Sequence, residues 1–167
     1  MLLLLVRHAH AGSRDPIHWA DDTLRPISDK GHTAQLRVSQ YLRDCNIVPT
    51  MIFSSPWHRA MQTAEILAQT FHDQTEPAIV ECPPLATTPN LRGIARAVGK
   101  QSDQATLAFV GHEPWLGQFA AALLTGSASA MELDVPKSGV IGIEASRIGR
   151  GKGTLRFFVR PSMSQSQ

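Results

Sequence analysis

Leu2-Leu3-Leu4-Leu5-Val6-Arg7-His8 is the stretch that decides how the rest of the chain is read. Leu2 to Val6 is an unbroken apolar run of strand length, the pattern of a central strand covered on both faces of a parallel sheet. The run has only a superficial likeness to a secretion signal: it is short, no basic region precedes it, and Arg7 and His8 interrupt it at once. No segment approaches the roughly 20 apolar residues of a membrane helix. The expectation is a soluble cytoplasmic protein with no membrane association.

Working outward, strand-like and helix-like segments alternate. Ala9 to Ile27 is polar, punctuated by proline and without a period, hence a long loop of the kind that usually carries function. Ala34, Val38, Tyr41, Leu42 and Cys45 recur at helical spacing after the capping candidates Ser28 and Asp29. Thr50 to Ser54 reads as a strand. Ser55-Pro56 then opens a helix whose inward stripe is Ala60, Ala64, Leu67, Ala68 and Phe71. Ala78 to Glu81 is a short strand, followed by the loop Cys82 to Pro89 and a small helix over Asn90 to Val98. Thr106 to Val110 is a further buried strand, and Leu116, Phe119, Ala120, Leu123 and Leu124 mark the helix after it. Val140 to Ala145 and Thr154 to Val159 flank a glycine-rich turn, a hairpin signature. The expected fold is an α/β three-layer α/β/α sandwich with a mostly parallel sheet and a C-terminal antiparallel hairpin. The expected division is one domain over residues 1–160 and a loosely held tail over 161–167, since Pro-Ser-Met-Ser-Gln-Ser-Gln has nothing to bury.

Composition narrows the classes. A chain of 167 residues that is 43% apolar can bury a core of ordinary size, and its 12 glycines and 11 prolines follow no period. A net charge of +2 is too balanced to argue for nucleic acid. Within the basic set, arginine outnumbers lysine twelve to four, and arginine is the better bidentate partner for phosphate or carboxylate. Cys45 and Cys82 have neither metal nor redox spacing and read as two small buried thiols.

In open α/β sheets ligands bind beyond the carboxyl ends of the strands. The first strand delivers Arg7 and His8 there, the second Ser54-Ser55-Pro56 with Arg59 a turn into the helix, and the fourth Gly111 and His112. Singly, each has a bland structural explanation. Together, two arginines and two histidines without compensating acids repel one another, and Arg59 opposes the dipole of its helix. A bound tetrahedral oxyanion resolves both conflicts. A phosphate pocket follows from the residues alone.

Val6-Arg7-His8-Ala9, Ser55-Pro56-Trp57-His58-Arg59-Ala60-Met61-Gln62-Thr63-Ala64 and Gly111-His112-Glu113-Pro114 together resemble the histidine phosphatase superfamily. Short length, Leu24-Arg25-Pro26-Ile27-Ser28 before Gly31, and the His112-Glu113-Pro114 to Gly117 spacing are similar to its SixA-type phosphohistidine phosphatase branch. The resemblance implies the phosphoglycerate mutase-like fold, with His8 as the nucleophile that becomes phosphorylated and Arg7, Arg59 and His112 holding the phosphoryl oxygens. It implies neither metal nor cofactor, and as partner a phosphohistidine-bearing protein such as a histidine phosphotransfer domain. An imidazole must be neutral to attack, which neighbouring guanidiniums favour. With no acidic partners to complete a cluster, His8-Ala9-His10 is not read as a metal pair. Arg25 and His10 are candidates for the pocket rim, while His32 and His58 face solvent or that rim.

Two other readings stay open: a phosphomonoesterase acting on a small phosphorylated metabolite, and a non-catalytic phosphate-binding module. Relatives that cleave phosphomonoesters place an acid in the loop after the third strand. Here Cys82 to Pro89 contains no carboxylate, which leaves Glu81 and Asp22 as the stand-in proton donors.

Overall fold

The computed structural model describes residues 1–88 and 90–164. Pro89, from the loop expected after the third strand, and residues 165–167 of the expected tail lie outside the described residues. Six strands, β1 (Leu2–Arg7), β2 (Met51–Ser54), β3 (Ala78–Glu81), β4 (Thr106–Gly111), β5 (Val140–Ala145) and β6 (Gly153–Val159), form one sheet in the order β3-β2-β4-β1-β5-β6. β3, β2, β4 and β1 are parallel to their neighbours, and the β5–β6 hairpin joins β1 antiparallel. Four helices cover the sheet: α1 (Asp29–Asp44), α2 (His58–Thr70), α3 (Leu91–Val98) and α4 (Trp115–Thr125). This is the mostly parallel α/β sandwich with a C-terminal hairpin.

The period-two geometry of a strand explains why an all-apolar run suits β1. Leu3 and Leu5 join Leu107, Phe109, Ile141 and Ile143 in one core, beneath Ile94 of α3 and Phe119 of α4. Leu4 and Val6 join Ala108 and Val110 in the other, against Val38 and Leu42 of α1 and Ala64 and Leu67 of α2. Leu3, Leu4, Leu5 and Val6 have no exposed surface, so truncating one of the leucines to alanine costs about 2–5 kcal/mol.

Several boundaries differ from the sequence expectation. Helix α2 begins at His58, two residues later than the Ser55-Pro56 reading, because Ser55 is held by its backbone N–H to Val110 O (2.9 Å). Cys45 is exposed, not buried like Cys82, because it caps α1 instead of continuing its inward stripe. That stripe includes the polar pair Gln35 and Ser39, joined by a hydrogen bond from Gln35 Nε2 to Ser39 Oγ (3.2 Å). The two long loops contain short 3-10 turns at Asp22–Leu24 and Pro83–Ala86, and Pro161–Ser164 forms a third that packs on α1. Among the described residues, no helix is long and apolar enough to cross a membrane.

Candidate active site

The carboxyl ends of β1, β2 and β4 meet at one edge of the sheet, and hydrogen bonds along the backbone set their register. His8 N donates to Gly111 O (3.0 Å), and Arg7 N donates to Gly139 O (3.0 Å). The start of α2 secures the next residue: Ala9 N donates to Thr63 Oγ1 (3.0 Å), whose hydroxyl donates to Arg59 O (2.6 Å). Gln62 Oε1 accepts from Ile27 N (2.8 Å) and ties down the long loop. Each polar residue of the Arg59-to-Thr63 block thus has a separate task. Gly31 lets α1 approach closely, since a Cβ there would collide with the His10 backbone.

His8 is 3% exposed, and its Nδ1–H donates to Ala9 O (2.7 Å). A carbonyl can only accept, so Nδ1 carries the proton and Nε2 keeps its lone pair. Two cationic donors converge on that lone pair, Arg59 Nε at 3.3 Å and Lys137 Nζ at 3.2 Å. Burial, reinforced by Lys137 and His112, pushes the His8 pKa down to about 2. The imidazole is therefore neutral at ordinary pH and its free nitrogen faces the pocket.

His112 stands beside it, with ring centroids 4.9 Å apart and Nε2 hydrogen-bonded to Ser55 Oγ at 2.8 Å. Trp57 packs on its other side at 4.3 Å, and Arg59 stacks on the Trp57 ring at 4.5 Å. Burial first, then Arg59 and Lys137, lowers the His112 pKa to about 3. Arg7 donates through Nη1 to Val135 O (2.6 Å) and lies 3.6 Å from the exposed Asp134 carboxylate. Arg7 Nε and His112 Nδ1 are buried without a hydrogen-bond partner. Native structures rarely leave buried polar atoms unsatisfied, so these two are left available to a ligand.

The long loop contributes a locked ion cluster. Arg59 Nη1 donates to Asp22 O (2.7 Å) and Nη2 lies 3.2 Å from Asp22 Oδ2, while Arg25 Nε donates to Asp22 Oδ1 (2.8 Å). Arg25 also donates to the carbonyls of Ala11 (2.8 Å) and Gly12 (2.9 Å). The Arg25 hydrogen bond holds the Asp22 carboxyl below its usual range, so Asp22 is ionised. Glu81 is exposed at the end of β3, an edge strand separated from β1 by β2 and β4. His10 lies at the rim with Nδ1 on Ser28 Oγ (2.8 Å), and His32 and His58 are exposed.

The four residues singled out from the sequence, Arg7, His8, Arg59 and His112, come together in this way. Sequence reasoning missed Lys137 and gave Ser55 and Trp57 no individual task. A turn was legible in Pro136-Lys137-Ser138-Gly139, but only the pairing of β5 with β1 brings that turn beside His8. Chemically, the site is a cationic bowl around a neutral imidazole nitrogen, suited to a tetrahedral oxyanion.

Comparison with known proteins bears on the fold and the family. Residues 3–83 match the model of the histidine phosphatase superfamily (branch 1). An uncharacterized protein from Picosynechococcus sp. is 33% identical over 148 residues, spanning 87% of this chain and 86% of that protein. Among solved structures, the protein histidine phosphatase SixA complexed with tungstate superposes with a TM-score of 0.78 at 19% identity, covering 99% of this chain and 100% of that one. The putative phosphohistidine phosphatase SixA from Agrobacterium tumefaciens gives 0.74 at 20% identity, over 96% and 97% of the two chains. Phosphoserine phosphatase from Entamoeba histolytica, in complex with 3-phosphoglyceric acid, gives 0.62 at 16% identity over 95% and 96%. At such identities the structural likeness is one of fold, whereas the family model carries the sequence kinship: the chain belongs to the histidine phosphatase superfamily.

Proposed function

We propose that this protein is a metal-independent phosphatase that removes phosphate from phosphohistidine in a protein, for example a histidine phosphotransfer domain, through a phosphohistidine formed on its own His8. The observation that carries the reading is the unprotonated Nε2 of a neutral, buried His8, approached by Arg59 Nε at 3.3 Å and Lys137 Nζ at 3.2 Å. In the first step the Nε2 lone pair attacks phosphorus. The substrate's P–N bond breaks, its electron pair stays on the departing imidazole, and water protonates that nitrogen. In the second step water attacks phosphorus and inorganic phosphate leaves His8. Two easier displacements replace one hard one. Arg7, Arg59 and His112 hold the phosphoryl oxygens through both, where most of the acceleration of such reactions arises. Arg7, Arg59 and Lys137 repel a metal cation and take over its charge-neutralising task.

Among the described residues, the carboxyl groups near the site are already engaged, which supports phosphohistidine over an alkyl phosphate: Glu113, whose pKa burial raises, spends its two oxygens on the backbone N–H groups of Val135 and Gly117. Asp22 is the carboxylate nearest to Arg59, and its ion pairs hold it ionised. A departing imidazole needs far less help than an alkoxide.

Rapid quench of the protein with a phosphohistidine-bearing domain tests the reading. Acid-labile, base-stable phosphate should accumulate and map to His8. Full turnover by His8→Ala overturns the assignment.

A further inference from the structure

We infer that Lys137 is a further ligand of the tetrahedral oxyanion, and that its ammonium sets an upper pH limit on anion binding. The oxyanion is identified as a transferred phosphoryl group by the phosphatase reading above, but Lys137's contact with it is testable without turnover. Lys137 sits in a tight turn fastened to the segment that carries His8. Ser138 N donates to Arg7 O (3.1 Å), Arg7 N to Gly139 O (3.0 Å), and Gly139 N to Pro136 O (2.7 Å). The turn places fully buried Ser138 at φ 60°, and a Cβ on Gly139 would come within 2.8 Å of the Pro136 carbonyl oxygen. The side chain then spans the pocket to His8 Nε2 at 3.2 Å, the atom that Arg59 Nε also approaches.

That position specifies the role. Oxygens of a phosphoryl group bonded to Nε2 ring that nitrogen, within hydrogen-bond reach of any donor now touching it. A donor so close to the attacking atom stands beside the equatorial oxygens, not behind the departing group. Lys137 is therefore not the missing proton donor for a leaving group.

Its surroundings point the same way. Arg7 and Arg59 bear on the ammonium, with Arg25 behind them, and Asp22 opposes them. His8 and His112 face it as neutral rings. On the outer side it borders a groove of about 380 Å³ also lined by His10, Lys30 and Arg160, with no carboxylate among the lining residues. Burial and the guanidiniums push the Lys137 pKa down to about 8. An ammonium held among cations is unfavourable until an anion arrives, and the anion then draws the proton back. The sign follows: with the site empty, Lys137 loses charge above pH 8, so anion binding weakens there and is accompanied by proton uptake.

Calorimetric titration with tungstate, whose own charge is constant between pH 7 and 10, tests this in wild type, Lys137→Met and Lys137→Arg. Wild-type affinity should be level near pH 7 and fall by about tenfold per pH unit above pH 8, the slope of one linked proton. Lys137→Met should bind about 10- to 100-fold more weakly at pH 7, the loss of one charge-assisted hydrogen bond, and show no such fall. Lys137→Arg, which keeps the charge and guards against a methionine variant that fails to fold, should bind well and stay level to pH 9.5. Wild-type affinity in Lys137→Met, or the wild-type slope persisting in Lys137→Arg, overturns the inference. Lysine-dependent tungstate binding by a protein that never forms phosphohistidine upholds this inference and sinks the phosphatase reading. Unchanged phosphohistidine formation in Lys137→Met, with an unchanged pH profile, does the reverse.

Discussion

The two walls of the pocket are built on opposite principles. On one, Arg59 and Lys137 meet at His8 Nε2, with Arg7 and, behind them, Arg25 bearing on Lys137, and Asp22 and the exposed Asp134 as partial counterweights. Around His112, by contrast, Pro84, Leu85, Thr87 and Trp115 line a cavity of about 10 Å³ together with the core residues Ile94, Leu116 and Phe119, and none of them is titratable. On the proposed phosphatase reading, the difference separates the two ends of one reaction. The cationic wall suits the transferred group, whose charge stays on its oxygens throughout. The apolar wall offers nothing to a leaving group that must be protonated, and so favours one that departs without strong help.

The hardest blow to the cationic wall is removal of His8. His8→Ala should lower phosphatase turnover by about 10⁴-fold or more, the scale seen when a covalent nucleophile is lost, while circular dichroism shows an intact fold. Activity within tenfold of wild type would dissolve the contrast between the walls.

The apolar wall is probed by the leaving group. A phosphohistidine peptide and an activated aryl phosphate should both be hydrolysed. Phosphoserine and sugar phosphates should lag by about 10²–10⁴-fold, the usual value of general acid catalysis. Thr87→Glu, which places a carboxyl on that wall, should narrow the gap. Efficient alkyl phosphate hydrolysis by the wild type, abolished in Asp22→Asn or Glu81→Gln, would show that a donor exists and favour a phosphomonoesterase.

Burial of the two imidazoles, reinforced by the neighbouring charges, also leaves a mark on stability. His8 and His112 titrate near 6.5 when unfolded but at about 2 and about 3 when folded. The unfolded chain thus binds more protons below pH 6.5, and stability must fall as pH drops from there towards 3. The slope is at most about 1.4 kcal/mol per pH unit for each imidazole, readable from urea midpoints between pH 7 and 5. His112→Asn should reduce it, and an unchanged slope in that variant would mean that His112 is charged in the folded protein.

Asp22 gives the smallest effect. Asp22→Asn keeps the loop geometry but frees the charge of Arg59 and Arg25, so phosphate should inhibit at lower concentration, by up to about fivefold on the scale of one ion pair near the surface. Weaker inhibition would show that Asp22 serves the site by positioning Arg59 more than by moderating its charge.

Much of this was written locally. Leu2 to Val6 needed no partner to be recognised as a doubly covered strand, because apolar side chains on both pleats can be buried only between two layers. Ser28 as an N-cap, accepting from Gly31 N at 3.2 Å, was equally legible, because capping is a contact between near neighbours. Arg7, His8, Arg59 and His112 were found because each follows a strand, and strand ends share an edge in any parallel sheet. Lys137 was not, because nothing near it says that β5 pairs with β1, a pairing made across more than 130 residues. Nor could the sequence show that Asp22 would be spent on Arg59 and Arg25, or that Cys45 would fall outside the core. Local chemistry chooses the elements and the residue types at their ends. The order in which strands pair decides which ends meet, and with that the charge, the protonation and the reach of the site.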